Sequence, residues 1–182
     1  MTGGAPPAAF DDLWAADRQR QNTAYESLME VTSGPVPWAH DRWDEVVANL
    51  GHRDNHNRSI AAQILCNLAA NDRTERILGD LDALVKVTRD ERFVTARHSL
   101  QALWKIGLAG DAQRRAVVAA LDQRYRECAA EKNGTLIRND IIESLRRLYD
   151  AVGDPEVEAT ARALIELESD PKYRRKYARY WK

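Results

Sequence analysis

Cysteine is scarce in this 182-residue chain, with Cys66 and Cys128 as the 2 copies. Neither belongs to a CxxC pair or to a secretory spacing pattern. A disulfide framework and a thiolate metal site are therefore not expected, and both residues read as reduced thiols of a cytoplasmic protein. Chain breakers are also few, with 9 Gly and 6 Pro, and Pro6, Pro7 and Pro35 lie near the start. A chain poor in breakers and rich in Ala, Leu, Arg and Glu favours helix throughout. The formal net charge is only −1, so no global field exists to hold a polyanion. No apolar run approaches the roughly 18 residues of a membrane span, and no charged, then apolar, leader opens the chain. Membrane insertion and export are not expected. Hydrophobic residues at 44% and charged residues at 30% suit one globular domain with a real core.

What is present is a recurring helical pattern. The stretch FVTARHSLQALWKIGLAGD, Phe93 to Asp111, places Phe93, Leu100, Leu103, Trp104 and Gly107 on one side of a helix. Thr88 and Glu91 have capping-box spacing, which would start that helix near Arg89. Gly110 would close it in the left-handed conformation that glycine tolerates. RSIAAQILCNLAAND repeats the plan from Arg58, and IRNDIIESLRRLYDAVGD repeats it around Arg138. Arg58, Arg97 and Arg138 stand 39 and 41 residues apart. Periods of about 40 belong to two-helix solenoid repeats.

The chain resembles the HEAT-like branch of the armadillo/HEAT superfamily. An acidic or amide turn residue is followed by an arginine opening the second helix and a run of Ala, Leu and Ile. Here these are Asp54 with Arg58, Asp90 with Arg97, and Asn133 with Arg138, the last departing from the acidic turn. The resemblance covers roughly residues 39–168 and extends to small bacterial HEAT-repeat proteins, a likeness that implies no particular activity. It implies an all-α, right-handed α-α superhelix of about four two-helix repeats with capping terminal helices. First helices would lie outside and second helices would line a concave binding face. The expected organisation is a disordered segment over 1–7 and a single solenoid domain over 8–182.

Individual elements follow from local signals. A helix is expected from about residue 8 to 32, with a polar middle at Asp17–Thr23 that would face solvent or a partner. Ser33–Pro37 reads as a linker. Asp41 is placed to cap the helix carrying Trp43, Val46, Val47 and Leu50. Asp154-Pro155 and Asp170-Pro171 are strong helix starts, with a capping carboxylate and proline at the first position.

Candidate sites each have two readings. Arg58, Arg97 and Arg138 would bridge turns or neighbouring repeats structurally, or form an anion-binding ladder. Trp104 reads as core, or as a stacking surface. His52 and His56, with Asp54 between them, lack the further ligands of a metal shell, and no metal or cofactor is expected. Arg174, Arg175, Lys176 and Arg179 interleave with Tyr173, Tyr177, Tyr180 and Trp181. That pattern fits a capping helix with a basic outer side, or a nucleic-acid or acidic-partner contact. DNA alkylation-repair glycosylases share the architecture and use an acid with tryptophans in a basic groove. Asp140 or Glu143 with Trp104 would be the counterparts by position, and no catalytic residue is carried over. The leading expectation is a non-enzymatic scaffold that binds a protein. Its contacts would be the polar positions of the second helices: Gln63, Asn67, His98, Gln101, Lys105, Asn139, Glu143 and Arg147. Nucleic-acid binding is the alternative, and no small-molecule substrate is evident.

Overall fold

Apolar stripes at helical spacing need neighbours to cover them, and the chain supplies these by stacking helical hairpins. The computed structural model describes residues 6–72 and 74–182. Residues 1–5 of the segment expected to be disordered lie outside these. The α-helices are α1 (Arg18–Val31), α2 (Trp43–Asn49), α3 (Asn55–Ala69), α4 (Ile77–Val87), α5 (Phe93–Ala102), α6 (Asp111–Glu127), α7 (Gly134–Val152), α8 (Pro155–Glu166) and α9 (Pro171–Ala178). No strand occurs among the described residues. The hairpins α2/α3, α4/α5, α6/α7 and α8/α9 form four repeats. Their second helices pack in chain order, α3 on α5, α5 on α7 and α7 on α9, and α1 covers the free side of α3. The first helices form a parallel layer, α2 on α4, α4 on α6 and α6 on α8. The core lies between the layers, with Ile64, Leu65, Leu68, Leu84, Leu100, Leu121, Ile141, Leu145 and Leu148 fully buried.

Several local expectations are corrected. The first helix breaks into a 3-10 turn (Ala8–Asp12) and α1, because the Asp17 side chain accepts the Arg20 amide and starts a new helix. The polar middle is not all at the surface. Gln21 is buried and donates to the Leu13 carbonyl and to Asn57. The Thr88/Glu91 box does not form. Thr88 bonds the Val85 carbonyl, Asp90 accepts the Arg92 amide, and α5 begins at Phe93. That helix ends by tightening into a 3-10 stretch (Leu103–Leu108), and Gly110 is extended at φ 168°, a conformation open to any residue. Asp41 lies in a 3-10 turn and caps nothing, and α2 starts at Trp43. Asp154 and Asp170 do cap α8 and α9, each accepting the amide two residues on, with proline in the first turn.

Two glycines let the layers approach. A Cβ at Gly107 would lie 2.7 Å from the Leu148 side chain, and one at Gly134 would lie 2.4 Å from the Cys128 carbonyl oxygen. The former brings the end of the central helix onto α7. The latter tucks the 3-10 turn after α6 under the start of α7.

The arginine series forms ion pairs that cross repeats. Arg58 clamps Asp90 in the next hairpin's turn with two bonds of 2.5 and 2.9 Å. Arg138 reaches forward to Glu168 at 2.9 Å and lies over the Tyr125 ring. Arg18 of α1 pairs in the same sense with Asp54. The third turn offers Asn133 in place of an acid, and there Arg97 pairs instead with Asp140 on α7, through bonds of 2.7 and 2.9 Å. Each bridge therefore ties one helix to the following repeat, and backbone amides also hold the Asp54, Asp90 and Glu168 carboxylates that the guanidinium meets.

Candidate partner-binding face

Helix α1 and the second helices α3 and α5 lie side by side, and their polar faces line a groove of about 480 Å³. Its walls carry Arg18, Asn22 and Tyr25 from α1, His56, Ser59 and Gln63 from α3, and Val94, Thr95 and His98 from α5. The side chains are tied across the helices. The Tyr25 hydroxyl donates to Gln63 at 2.9 Å, Gln63 donates to the Ser59 carbonyl at 3.1 Å, and the Ser59 hydroxyl lies 3.2 Å from His98 Nδ1. A wall whose rotamers are fixed this way gives up little entropy when it meets a ligand.

The eight expected contact residues divide by depth. Gln63, Gln101, Lys105 and Glu143 are half-buried, and His98 and Arg147 are exposed. Asn67 and Asn139 are buried beneath the surface. Asn67 donates to Thr32, just past the end of α1, at 2.7 Å and accepts from the Lys105 ammonium. Asn139 donates to the Tyr180 hydroxyl at 3.1 Å. Gln101 donates to Asp140, and Arg147 pairs with Glu143 at 2.6 Å. Along the inward side of α5, Val94, His98, Gln101 and Lys105 follow helical spacing. Val94 is 62% exposed, the most exposed large apolar side chain in the described structure. Sequence reasoning passed over it and Tyr25, although an apolar residue four before His98 on a polar face was the available signal.

Lys105 is held below the ordinary lysine range by burial, and the nearby Arg147 cation acts in the same direction. Cys66 beside it is fully buried, and burial pushes its thiol up to about 12, so it stays protonated at neutral pH. Cys128 is likewise buried and shifted upward by burial. Neither thiol is placed to act as a nucleophile.

The positional counterparts of a glycosylase site are occupied structurally. The Asp140 side chain is fully buried with both oxygens held by Arg97. Trp104 is half-buried against the core, and its indole N–H has no protein acceptor among the described residues. His52 accepts the Asp54 amide through Nδ1, whereas His56 faces the groove. No group of three or more metal-ligating side chains occurs among the described residues. Likewise, no helix among them is long and apolar enough to cross a membrane.

At the far end, Tyr177 and Trp181 of the last helix are buried against the stack, while Arg175, Lys176 and Arg179 are exposed. Arg174 is drawn inward and donates to the Glu168 carbonyl at 2.8 Å.

No protein-family model matches the sequence, and no curated protein matches it. Solved structures do. An engineered protein from a structural genomics consortium is 21% identical with a TM-score of 0.56, covering 94% of this chain and 77% of that one. A second engineered protein is 19% identical with a TM-score of 0.52, covering 94% and 92%. A designed armadillo repeat protein in complex with the peptide (KR)4 is 16% identical with a TM-score of 0.51, covering 95% and 86%. At such identities the likeness is one of fold. With the order of the hairpins and their two layers, it shows that this chain has the armadillo/HEAT-like helical-repeat fold.

Proposed function

We propose that this chain is a non-enzymatic scaffold that binds a protein partner on its concave face, in the cytoplasm. The binding unit is the stack over residues 8–182, acting as one domain. The observation that carries this reading is the groove across α1, α3 and α5, where an exposed Val94 stands among cross-linked polar side chains. An apolar contact ringed by fixed hydrogen-bonding groups is how a pre-organised protein interface is built. Gln63, His98, Gln101, Lys105, Glu143 and Arg147 supply the polar contacts, and Asn67 and Asn139 hold them from below. The test is a photo-crosslinking residue at Gln101, compared with one at the exposed Asp82 of the outer helix α4. The expected result in extract of the native host is a discrete protein adduct from position 101 alone. Adducts of equal yield from both positions, or from position 82 alone, would oppose the reading.

A second reading rests on Arg175, Lys176 and Arg179, which are exposed and have no carboxylate partner among the described residues. It makes the last helix a nucleic-acid contact, with Arg174 as a positioning residue. Retention on single-stranded oligonucleotide should then fall steeply with salt and with loss of each of these charges. No retention at low salt would remove it.

A further inference from the structure

Several charges of the concave face are matched in pairs. Arg18 is matched by Asp54, Arg97 by Asp140 and Arg147 by Glu143. Lys105, on the central helix, has no such match. Among the described residues its only hydrogen-bond acceptor is the neutral Asn67 oxygen, and no carboxylate lies within ion-pair distance of it. An ammonium has three N–H donors, so two remain for other acceptors. The Cys66 thiol beside it stays protonated at neutral pH and supplies no counter-charge, and the Arg147 cation that acts on it has the same sign. A half-buried cation left this way is partly desolvated with nothing to offset the loss, and an incoming anion relieves that cost. The groove across α1, α3 and α5, whose α5 wall ends at His98 before Lys105 is reached, is lined by Arg18, two histidines, amides and hydroxyls, with no Asp or Glu among its lining residues.

We infer that the segment received by the concave face is acidic, with one of its carboxylates seated on the Lys105 ammonium. This rests on the concave-face reading above and adds the chemistry of the partner. The neighbouring Gln63 and Gln101 amides and the His98 ring are placed to bond the segment's peptide groups, which every sequence offers. Lys105 supplies the charge selection. The designed armadillo protein that was solved with (KR)4 holds a basic peptide. The charge pattern here calls for the opposite sign.

The test uses the full chain and two labelled octapeptides, alternating Asp-Ala and alternating Lys-Ala, titrated by fluorescence anisotropy. The Asp-Ala peptide should bind, weaken with added salt, and lose about tenfold in affinity with Lys105→Gln, the size of one charge-assisted hydrogen bond. Lys86→Gln on the outer helix α4 should leave it unchanged. Thermal melts confirm that each variant folds. Gln101→Trp, which fills the middle of the face, separates the two levels of the argument. If the Lys-Ala peptide binds instead and Gln101→Trp blocks it, the acidic assignment falls and the concave-face reading stands. If neither peptide responds to Gln101→Trp, both fall. Failure of the Asp-Ala peptide to bind, or binding indifferent to Lys105→Gln, overturns the inference. So does an oligothymidine that binds through Lys105 more tightly than the peptide.

Discussion

Three helical glycines should respond to the same added methyl group with different signs. At Gly79, on the exposed side of α4, a Cβ meets nothing within 4 Å. Replacing it with Ala should stabilise the chain by up to about 1 kcal/mol, the helix-propensity difference between the two residues. At Gly107 the Cβ meets the end of the Leu148 side chain at 2.7 Å, which can rotate away at some expense in packing. The two effects oppose each other there, and Gly107→Ala should cost about 1 kcal/mol. At Gly134 the obstacle is the Cys128 carbonyl oxygen at 2.4 Å, part of the backbone of the turn that leads into α7. The turn itself must move, and Gly134→Ala should cost about 2 kcal/mol or more after the propensity gain. For a chain of this size that is a fall of roughly 4–8 °C in melting temperature. Melting curves followed by far-ultraviolet circular dichroism, with urea midpoints as a second scale, give the order. A Gly134→Ala variant as stable as Gly79→Ala would refute the packing of the third hairpin.

Other perturbations test the bridges and the site. Arg97→Ala leaves the fully buried Asp140 carboxylate without its partner, whereas Asp140→Ala leaves an arginine that is 36% exposed and able to hydrate. The first should cost about 3 kcal/mol and the second about 1 kcal/mol by urea denaturation, and the reverse order would contradict the geometry. Asp72 and Asp90 both have lowered pKa values: burial opposes the shift, and it is outweighed by bonds from Thr74 and Ile77 in one case and Arg58 and Arg92 in the other. A lowered folded value gives stability that is present above the unfolded carboxylate value, about 3.9, and lost as pH falls through the folded value. The melting temperature should therefore be level near neutrality and drop below about pH 4, and a chain equally stable at pH 2.5 would contradict it. Cys66 and Cys128 should not react with Ellman's reagent until the chain unfolds, and prompt native-state labelling would show that the second-helix layer is open.

Much of the architecture was legible because it depends on one-dimensional signals. Helical spacing of Leu and Ile, the Asp-Pro starts of α8 and α9, and a period near that of Arg58, Arg97 and Arg138 all survive in the structure. Features decided by what lies across the gap between repeats were not legible. The arginine at each second helix read as bridging turns or neighbouring repeats, without saying which. Arg58 does both, bonding the His52 and Arg53 carbonyls of its own turn and Asp90 of the next, because a stacked helix places its guanidinium over the following hairpin. Arg97 reaches Asp140 because the intervening turn carries Asn133, a choice that no single-repeat pattern contains. The same limit applied to the face. Asn67 and Asn139 have the spacing of surface residues, yet Lys105 and Tyr180 fold over them. Gln21 sits in a stretch polar all round and is buried because Leu13 and Asn57 offer it bonds. The break before α1 was missed because the Phe10 and Leu13 stripe continues in phase across it.

The proposed function requires side chains of successive helices in the second-helix layer to form one face that takes a partner. Methyl NMR reads this directly, with Val94 and Ile60 as reporters inside the groove and Val118 of the outer helix α6 as the control. Titration with the tightest peptide selected by display on the full chain should move the Val94 and Ile60 signals and leave Val118 in place. The largest shift at Val118, with Val94 and Ile60 unmoved, would contradict the account.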